Sequence, residues 1–185
     1  MRIIGGSLKG RRFNPPADKW PTRPTTDFAK EGLFNILENR FDFEHLRMLD
    51  LFGGTGNHTY EAISRGCLQI TYVDKFAPCV RFVRDLSQSL DIQDYITIVQ
   101  MDVARFLKKP AGPFDYIFAG PPYPLSWLDE IPAMIRESGC LAKDGLFVLE
   151  HNSNHHFEDY PDFEQLRKYG GTHFSFFTSN QTIDD

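Results

Sequence analysis

The stretch LDLFGGTGNHTYEAISRG, residues 49–66, decides the fold. It opens as an apolar run that reaches back to Arg47 and closes as a helix-forming segment ended by Gly66. Gly53, Gly54 and Gly56 stand at the joint. Glycines between a strand and the next helix let the backbone approach a ligand, and the helix N-terminus offers free N–H groups. Glycines also make ordinary tight turns, so the loop alone is a weak signal. Asp74 strengthens it, because it ends the next predicted strand, where an acidic side chain can hold ribose hydroxyls. Together they point to a nucleoside-type cofactor.

Outward from this stretch the same rhythm repeats. RMLDLF (47–52), QITYVD (69–74), YITIVQMD (95–102), FDYIFAG (114–120) and GLFVLEH (145–151) read as buried strands. Helical patterns fill the intervals: HTYEAISRG, a segment running to about Leu90, and the stretches 103–109 and 126–138. A further helix starts at Thr25 or Thr26, with Ala29, Leu33, Ile36 and Leu37 on one face. Five strand–helix alternations predict a parallel sheet covered on both faces. The end breaks the rhythm: FEQLRKYGGTHFSFFTS is two strand-like runs joined by Gly170-Gly171, an antiparallel hairpin. The predicted class is α/β, a Rossmann-like, mostly parallel seven-stranded sheet closed by that hairpin. One domain is expected over 1–185, with a basic hairpin or arm in 1–24 and the core in 25–185.

The 185 residues, 41% of them hydrophobic, fit a globular chain with a sizeable core. No segment approaches a membrane span, and Cys67, Cys79 and Cys140 form no C-x-x-C pair, so reduced thiols and a cytoplasmic location are expected. The net charge of −5 is unevenly spread. Residues 1–30 carry seven Lys or Arg against Asp18 and Asp27, a surplus of +5 that leaves −10 for the remainder. A basic arm on an acidic body is a candidate polyanion contact, although a solvated surface has the same composition.

The identity of the cofactor turns on two residues. A dinucleotide fingerprint G-x-G-x-x-G would need glycine at position 59, which is Thr59. Asp50, just ahead of the glycines, would repel a pyrophosphate but suit a cationic amino-acid moiety. That combination disfavours a nicotinamide-dependent oxidoreductase and favours S-adenosylmethionine. Asp102, ending the third strand, is placed to accept from the adenine amine or to cap the helix after it, and both roles are compatible.

FDYIFAGPPYPL, residues 114–125, supplies the substrate side. Pro121 and Pro122 make a stiff corner after Gly120, with no N–H of their own and with carbonyls able to accept from an exocyclic amine. Tyr123 can stack on a flipped-out base. His151, His155, His156 and Asp159 are close enough in sequence to suggest zinc, but the surrounding loop lacks cysteine and no metal is expected. No G-x-S-x-G elbow supports a hydrolase.

With these motifs in view, the chain resembles the small-subunit rRNA guanine-N2 methyltransferases. The resemblance rests on RIIGGSLKGRRF, RPTTDFAKEGLFNIL, LDLFGGTGNHTYEAISRG, the corner GPPY and the closing RKYGGTHFSFF. It implies a class I S-adenosylmethionine-dependent fold and metal-free methyl transfer to the N2 amine of a guanine in 16S rRNA. The implied partner is 16S rRNA or a small-subunit assembly particle, met by a monomer. The expected cofactor set is Thr26, Asp50, Phe52, Gly53, Gly54, Gly56, Asp74 and Asp102. The expected catalytic set is Gly120, Pro121, Pro122 and Tyr123, and Arg2, Lys9, Arg11, Arg12 and Arg23 are expected to meet phosphates.

Two positions depart from the family's pattern. Its loop usually reads Ala-Gly-Thr-Gly, and here the first residue is Gly53. Its corner usually reads Asp-Pro-Pro-Tyr or Asp-Pro-Pro-Phe, and here Gly120 replaces the carboxylate that steadies charge developing on the guanine amine. Losing one such preorganised group typically costs about 100- to 1,000-fold in rate. Gly120 leaves open a homologue that binds cofactor and RNA without efficient transfer. It also leaves open an enzyme in which another group, Glu150 or His151 first, has taken over the role.

Overall fold

A computed structural model describes residues 1–16, 20 and 25–179. Arg23 lies outside these residues. Seven strands form one sheet: β1 (Arg47–Leu51), β2 (Gln69–Asp74), β3 (Ile96–Gln100), β4 (Phe114–Ala119), β5 (Leu141–His151), β6 (Phe163–Tyr169) and β7 (Thr172–Thr178). Their order is β3-β2-β1-β4-β5-β7-β6. The first five are parallel, β7 runs antiparallel to β5, and β6 pairs antiparallel with β7.

The period of two along each strand sorts the core onto both faces of the sheet. Met48, Tyr116, Phe118, Leu146, Val148, Phe174 and Phe176 pack with the helices α1 (Asp27–Glu38), α2 (Asn57–Ser64) and α3 (Ala77–Ser89). Leu49, Leu51, Ile117, Ala119, Phe147, Leu149 and Phe177 face the other way, against α4 (Val103–Phe106) and α5 (Ile131–Ser138). Strands buried on both sides read as unbroken apolar runs, which is why the sequence displays them clearly.

The differences from expectation lie at element ends. Gln93–Tyr95 forms a 3-10 turn, so β3 starts at Ile96. After Phe106 the amides of Lys108 and Lys109 bond back three residues, and the α-helical pattern stops there. Leu128–Glu130 is a 3-10 turn, and α5 begins only at Ile131, with Pro132 in its first turn, where a missing N–H costs nothing. β5 reaches back to Leu141, opposite Phe114.

The N-terminal segment is a paired loop: Arg2 bridges Arg12, and Gly10 N–H donates to the Ile3 carbonyl at 2.9 Å. It is fastened to the core by charge. The Glu61 carboxylate accepts from the amides of Ile4 and Gly5, both at 2.9 Å, and pairs with buried Lys30 at 3.1 Å. Lys30 Nζ also donates to the Arg2 carbonyl and to Asn57. Among the described residues no helix is long and apolar enough to cross a membrane.

Candidate active site

β1 ends in the glycine loop, and each glycine there answers a different demand. Gly56 caps α2 in the left-handed region (φ 78°), and Gly54 shares it (φ 54°), a conformation that disfavours a Cβ. Phe52 adopts φ 56°, and its ring lies 5.8 Å from that of Trp127. Gly53 is fixed by contact: a Cβ there would lie 2.3 Å from Tyr72 Cε2. Tyr72 is buried on β2, and its hydroxyl donates to the Gly54 carbonyl at 2.7 Å. Sequence reasoning missed this tyrosine. Its signal was a bulky ring with a polar tip in a short buried strand, beside a loop with an extra glycine.

Asp74 closes the loop from the end of β2. Its Oδ2 accepts from Gly54 N–H and its Oδ1 from Phe76 N–H, both at 2.8 Å. Burial pushes its carboxyl above the ordinary value, while these two amides pull the other way. Each carboxylate oxygen can accept more than one hydrogen bond, so ribose hydroxyls fit beside the amides. Asp102 caps α4, accepting from Ala104 N–H at 3.0 Å, and lies 3.3 Å from Lys75 Nζ. Thr26 caps α1 by accepting from Ala29 N–H at 3.2 Å.

Asp50 is buried within β1, where its Oδ2 accepts from the Thr59 hydroxyl at 2.6 Å. Burial pushes its carboxyl up to about 7, with the Asp74 charge adding to the shift and the Thr59 hydrogen bond opposing it. Its Oδ1 has no hydrogen-bond partner among the described residues. A buried acceptor left so costs about 1–3 kcal/mol. An ammonium donor would satisfy it, and the amino group of S-adenosylmethionine is one, so this residue set fits that cofactor.

The proline corner sits directly against the loop strand. Gly120 N–H donates to the Leu51 carbonyl at 3.2 Å, continuing the β1–β4 pairing by one residue. Pro121 is buried, and its carbonyl accepts no hydrogen bond from the described residues. The Pro122 carbonyl is engaged by Leu125 N–H at 2.9 Å, so of the two it is Pro121 that remains able to meet a substrate amine. Tyr123 donates its hydroxyl to Glu150 Oε1 at 2.9 Å, and Thr25 donates to Oε2 of the same carboxylate. Glu150 follows Leu149, the partner of Ala119, so Gly120 and Glu150 continue adjacent strands.

The loop, Asp74 and the corner therefore meet at the carboxyl ends of β1, β2 and β4, and Asp102, expected to end the third strand, lies two residues past β3 as the cap of α4. In open α/β sheets this edge is where ligands bind. Thr25, next to Thr26, is tied to the corner through Glu150. Arg2, Lys9, Arg11 and Arg12 are exposed on the N-terminal loop, with Arg2 paired to Asp27 at 3.1 Å. His151 is buried, with its ring nitrogens 2.8 Å from the Asn152 carbonyl and the Ser175 hydroxyl. Burial pushes its imidazole down to about 4. Among the described residues no three His, Cys, Asp or Glu side chains gather to hold a metal ion.

Comparison with known proteins agrees with this architecture. A family described as "Conserved hypothetical protein 95" matches residues 1–178. The chain is 36% identical to the putative rRNA methyltransferase YlbH of Bacillus subtilis over 156 residues, 82% of this chain and 83% of that one. It is 31% identical to ribosomal RNA small subunit methyltransferase D of Escherichia coli, over 81% of this chain and 74% of that one. Among solved structures, a hypothetical protein of Thermus thermophilus aligns at TM-score 0.82 and 27% identity, covering 96% and 98% of the two chains. A putative Escherichia coli methyltransferase, yhhF, aligns at TM-score 0.83 over 96% and 97%; at 24% identity it speaks for the fold alone.

Sheet order, glycine loop and terminal hairpin together define the class I S-adenosylmethionine-dependent methyltransferase fold. Within that class, the chain belongs to the family of ribosomal RNA small subunit methyltransferase D.

Proposed function

We propose that this chain transfers a methyl group from S-adenosylmethionine to the exocyclic N2 of a guanine in 16S rRNA, acting as a cytoplasmic monomer. The observation that most supports this reading is the Gly120–Leu51 hydrogen bond, which holds the Gly120–Tyr123 corner beside the end of β1, where the glycine loop begins. When bound, S-adenosylmethionine would supply a methyl group activated on its sulfonium sulfur, to be exchanged for one N2 proton of the guanine, which passes to solvent.

The chain's residues then have distinct tasks. Asp50 holds the cofactor's ammonium, Asp74 its ribose and Asp102 its adenine, with Thr26 and Phe52 completing the walls. The Pro121 carbonyl accepts one N2 hydrogen and so orients the nitrogen lone pair. The Tyr123 ring stacks on the extruded base, its tilt fixed by the hydroxyl bond to Glu150. Glu150, rather than neutral His151, is the carboxylate beside this corner, and both its oxygens already accept hydrogen bonds. It positions Tyr123 and leaves the role of the missing Gly120 carboxylate only partly met. Arg2, Lys9, Arg11, Arg12 and Arg23 grip phosphates. Gly120 favours one second reading, a homologue that binds cofactor and RNA but transfers methyl groups very slowly.

Calorimetric titration tests the cofactor half: S-adenosylhomocysteine should bind and NAD should not. Transfer of labelled methyl groups to small subunits lacking the modification then separates an active enzyme from a silent homologue.

A further inference from the structure

Phe28, in the first turn of α1, is two-thirds exposed at 67%, the most exposed of the large apolar side chains among the described residues. A single exposed apolar side chain needs no explanation. Phe28 is set apart by what its neighbours hold. Thr25 bonds to the carboxylate that fixes Tyr123, and Asp27 pairs with Arg2 of the basic loop. Phe28 thus shares the start of α1 with one residue tied to the candidate base pocket and one tied to the basic N-terminal loop.

Its ring is also braced. Tyr169, at the end of β6, meets Phe28 edge to face, with centroids 5.5 Å apart and planes at 79°. Tyr169 is seated in turn on α1 at Gly32, where a Cβ would fall 2.2 Å from its ring. Arg167, two residues before Tyr169 on β6 and therefore on the same face of the sheet, is exposed. An exposed aromatic ring held rigid, with Arg167 beside its brace and the Arg2–Asp27 pair on the same helical turn, suits one partner chemistry, a single strand of nucleic acid. Such proteins stack bases on aromatic rings while cations follow the backbone.

We propose that Phe28, backed by Tyr169, stacks an unpaired rRNA base next to the guanine being methylated. This rests on the RNA-methyltransferase reading and adds a base-binding position outside the pocket. Stacking tolerates any base, so the platform contributes affinity and register rather than sequence preference.

The test uses a short single-stranded RNA with a central guanine flanked by fluorescent 2-aminopurine. Its affinity is measured over a range of salt for the unaltered chain, Phe28→Ala and Phe28→Trp. Phe28→Ala should weaken binding by about 5- to 150-fold. The slope of log affinity against log salt should stay unchanged, because no phosphate contact is lost. Phe28→Trp should bind at least as tightly as the unaltered chain, and S-adenosylhomocysteine affinity should be the same for all three. Equal RNA affinity for Phe28→Ala and the unaltered chain would overturn the platform and leave the enzyme reading intact. A loss seen only with intact small-subunit particles and not with the single strand would assign the surface to the folded particle and also overturn the proposal. Failure of the unaltered chain to bind the short RNA at all would overturn the platform, while methyl transfer to small-subunit particles judges the enzyme reading separately.

Discussion

At Gly53 a Cβ would lie 2.3 Å from Tyr72, whereas at Gly120 the nearest atom would be Phe118 Cε1 at 3.2 Å. Both glycines stand where the family's usual pattern carries a side chain, and their surroundings give them opposite meanings. Gly53 is a requirement of shape, since the buried Tyr72 ring fills the space of a methyl group and its hydroxyl braces the next carbonyl. Gly120 has room beside it. Only the Phe118 ring must yield by a few tenths of an ångström, although that ring is stacked on His58 with centroids 3.8 Å apart. At Gly53 the place of a side chain is filled by Tyr72, while at Gly120 it is open apart from the edge of the Phe118 ring.

The largest expected effect is at the corner. Gly120→Asp should raise methyl transfer to guanine N2 by about 100-fold or more, with cofactor affinity scarcely changed. Rates on small-subunit particles at matched cofactor saturation check it. No gain over a brisk unaltered rate would mean that the corner is not deficient. Asp74→Ala comes next. Losing hydrogen bonds to a carboxylate costs about 1.5–3 kcal/mol, roughly 10- to 150-fold in the dissociation constant of S-adenosylhomocysteine. Because Asp74 also holds the amides of Gly54 and Phe76, the variant should melt at a lower temperature as well.

Gly53→Ala sharpens the contrast from the other side. Overpacking against Tyr72 should destabilise the chain by about 1–3 kcal/mol and weaken cofactor binding. Pairing it with Tyr72→Leu should show a favourable coupling of about 0.5–3 kcal/mol in a double-mutant cycle. Strict additivity would mean that Gly53 and Tyr72 are unrelated. Asp50 provides a test by proton linkage. Its carboxyl is ordinarily half-ionised at 3.8 and in the folded chain only at about 7. The native state therefore binds the extra proton between those values, and this group's contribution to stability falls as pH rises through the window. An ammonium seated on Oδ1 favours the ionised form, so S-adenosylhomocysteine binding near pH 6 should release up to about one proton. Calorimetry in buffers of differing ionisation enthalpy reads that number, and no release would detach Asp50 from the cofactor. The smallest effect is on the arm. Neutralising Arg11 and Arg12 should lower the log–log salt slope of RNA binding by about 0.7–0.9 per lost phosphate contact, with S-adenosylhomocysteine affinity unchanged.

Much of this was readable in the sequence where one physical signal dominated. QITYVD matches β2 residue for residue, because a strand buried on both faces has few ways to begin or end. The long helix starting after Thr26 was equally plain from its cap and from Ala29, Leu33 and Leu37. Ends set by turn geometry were less legible, as at Leu128–Glu130 and after Phe106. The glycine loop, Asp74 and the corner were visible because each pairs a residue type with a strand end. Tyr72 bracing Gly54, Thr25 reaching Glu150 across 125 positions, and Lys30 buried against Glu61 were not legible. These contacts join segments far apart in the chain, and no local pattern marks which partner a polar side chain will find.

The proposed reaction places a methyl group on guanine N2 of 16S rRNA. Mass spectrometry of 16S rRNA nucleosides from cells with and without the protein tests it most directly. N2-methylguanosine should fall by one residue per 16S molecule when the protein is removed and return when it is restored. An unchanged N2-methylguanosine content would contradict the claim.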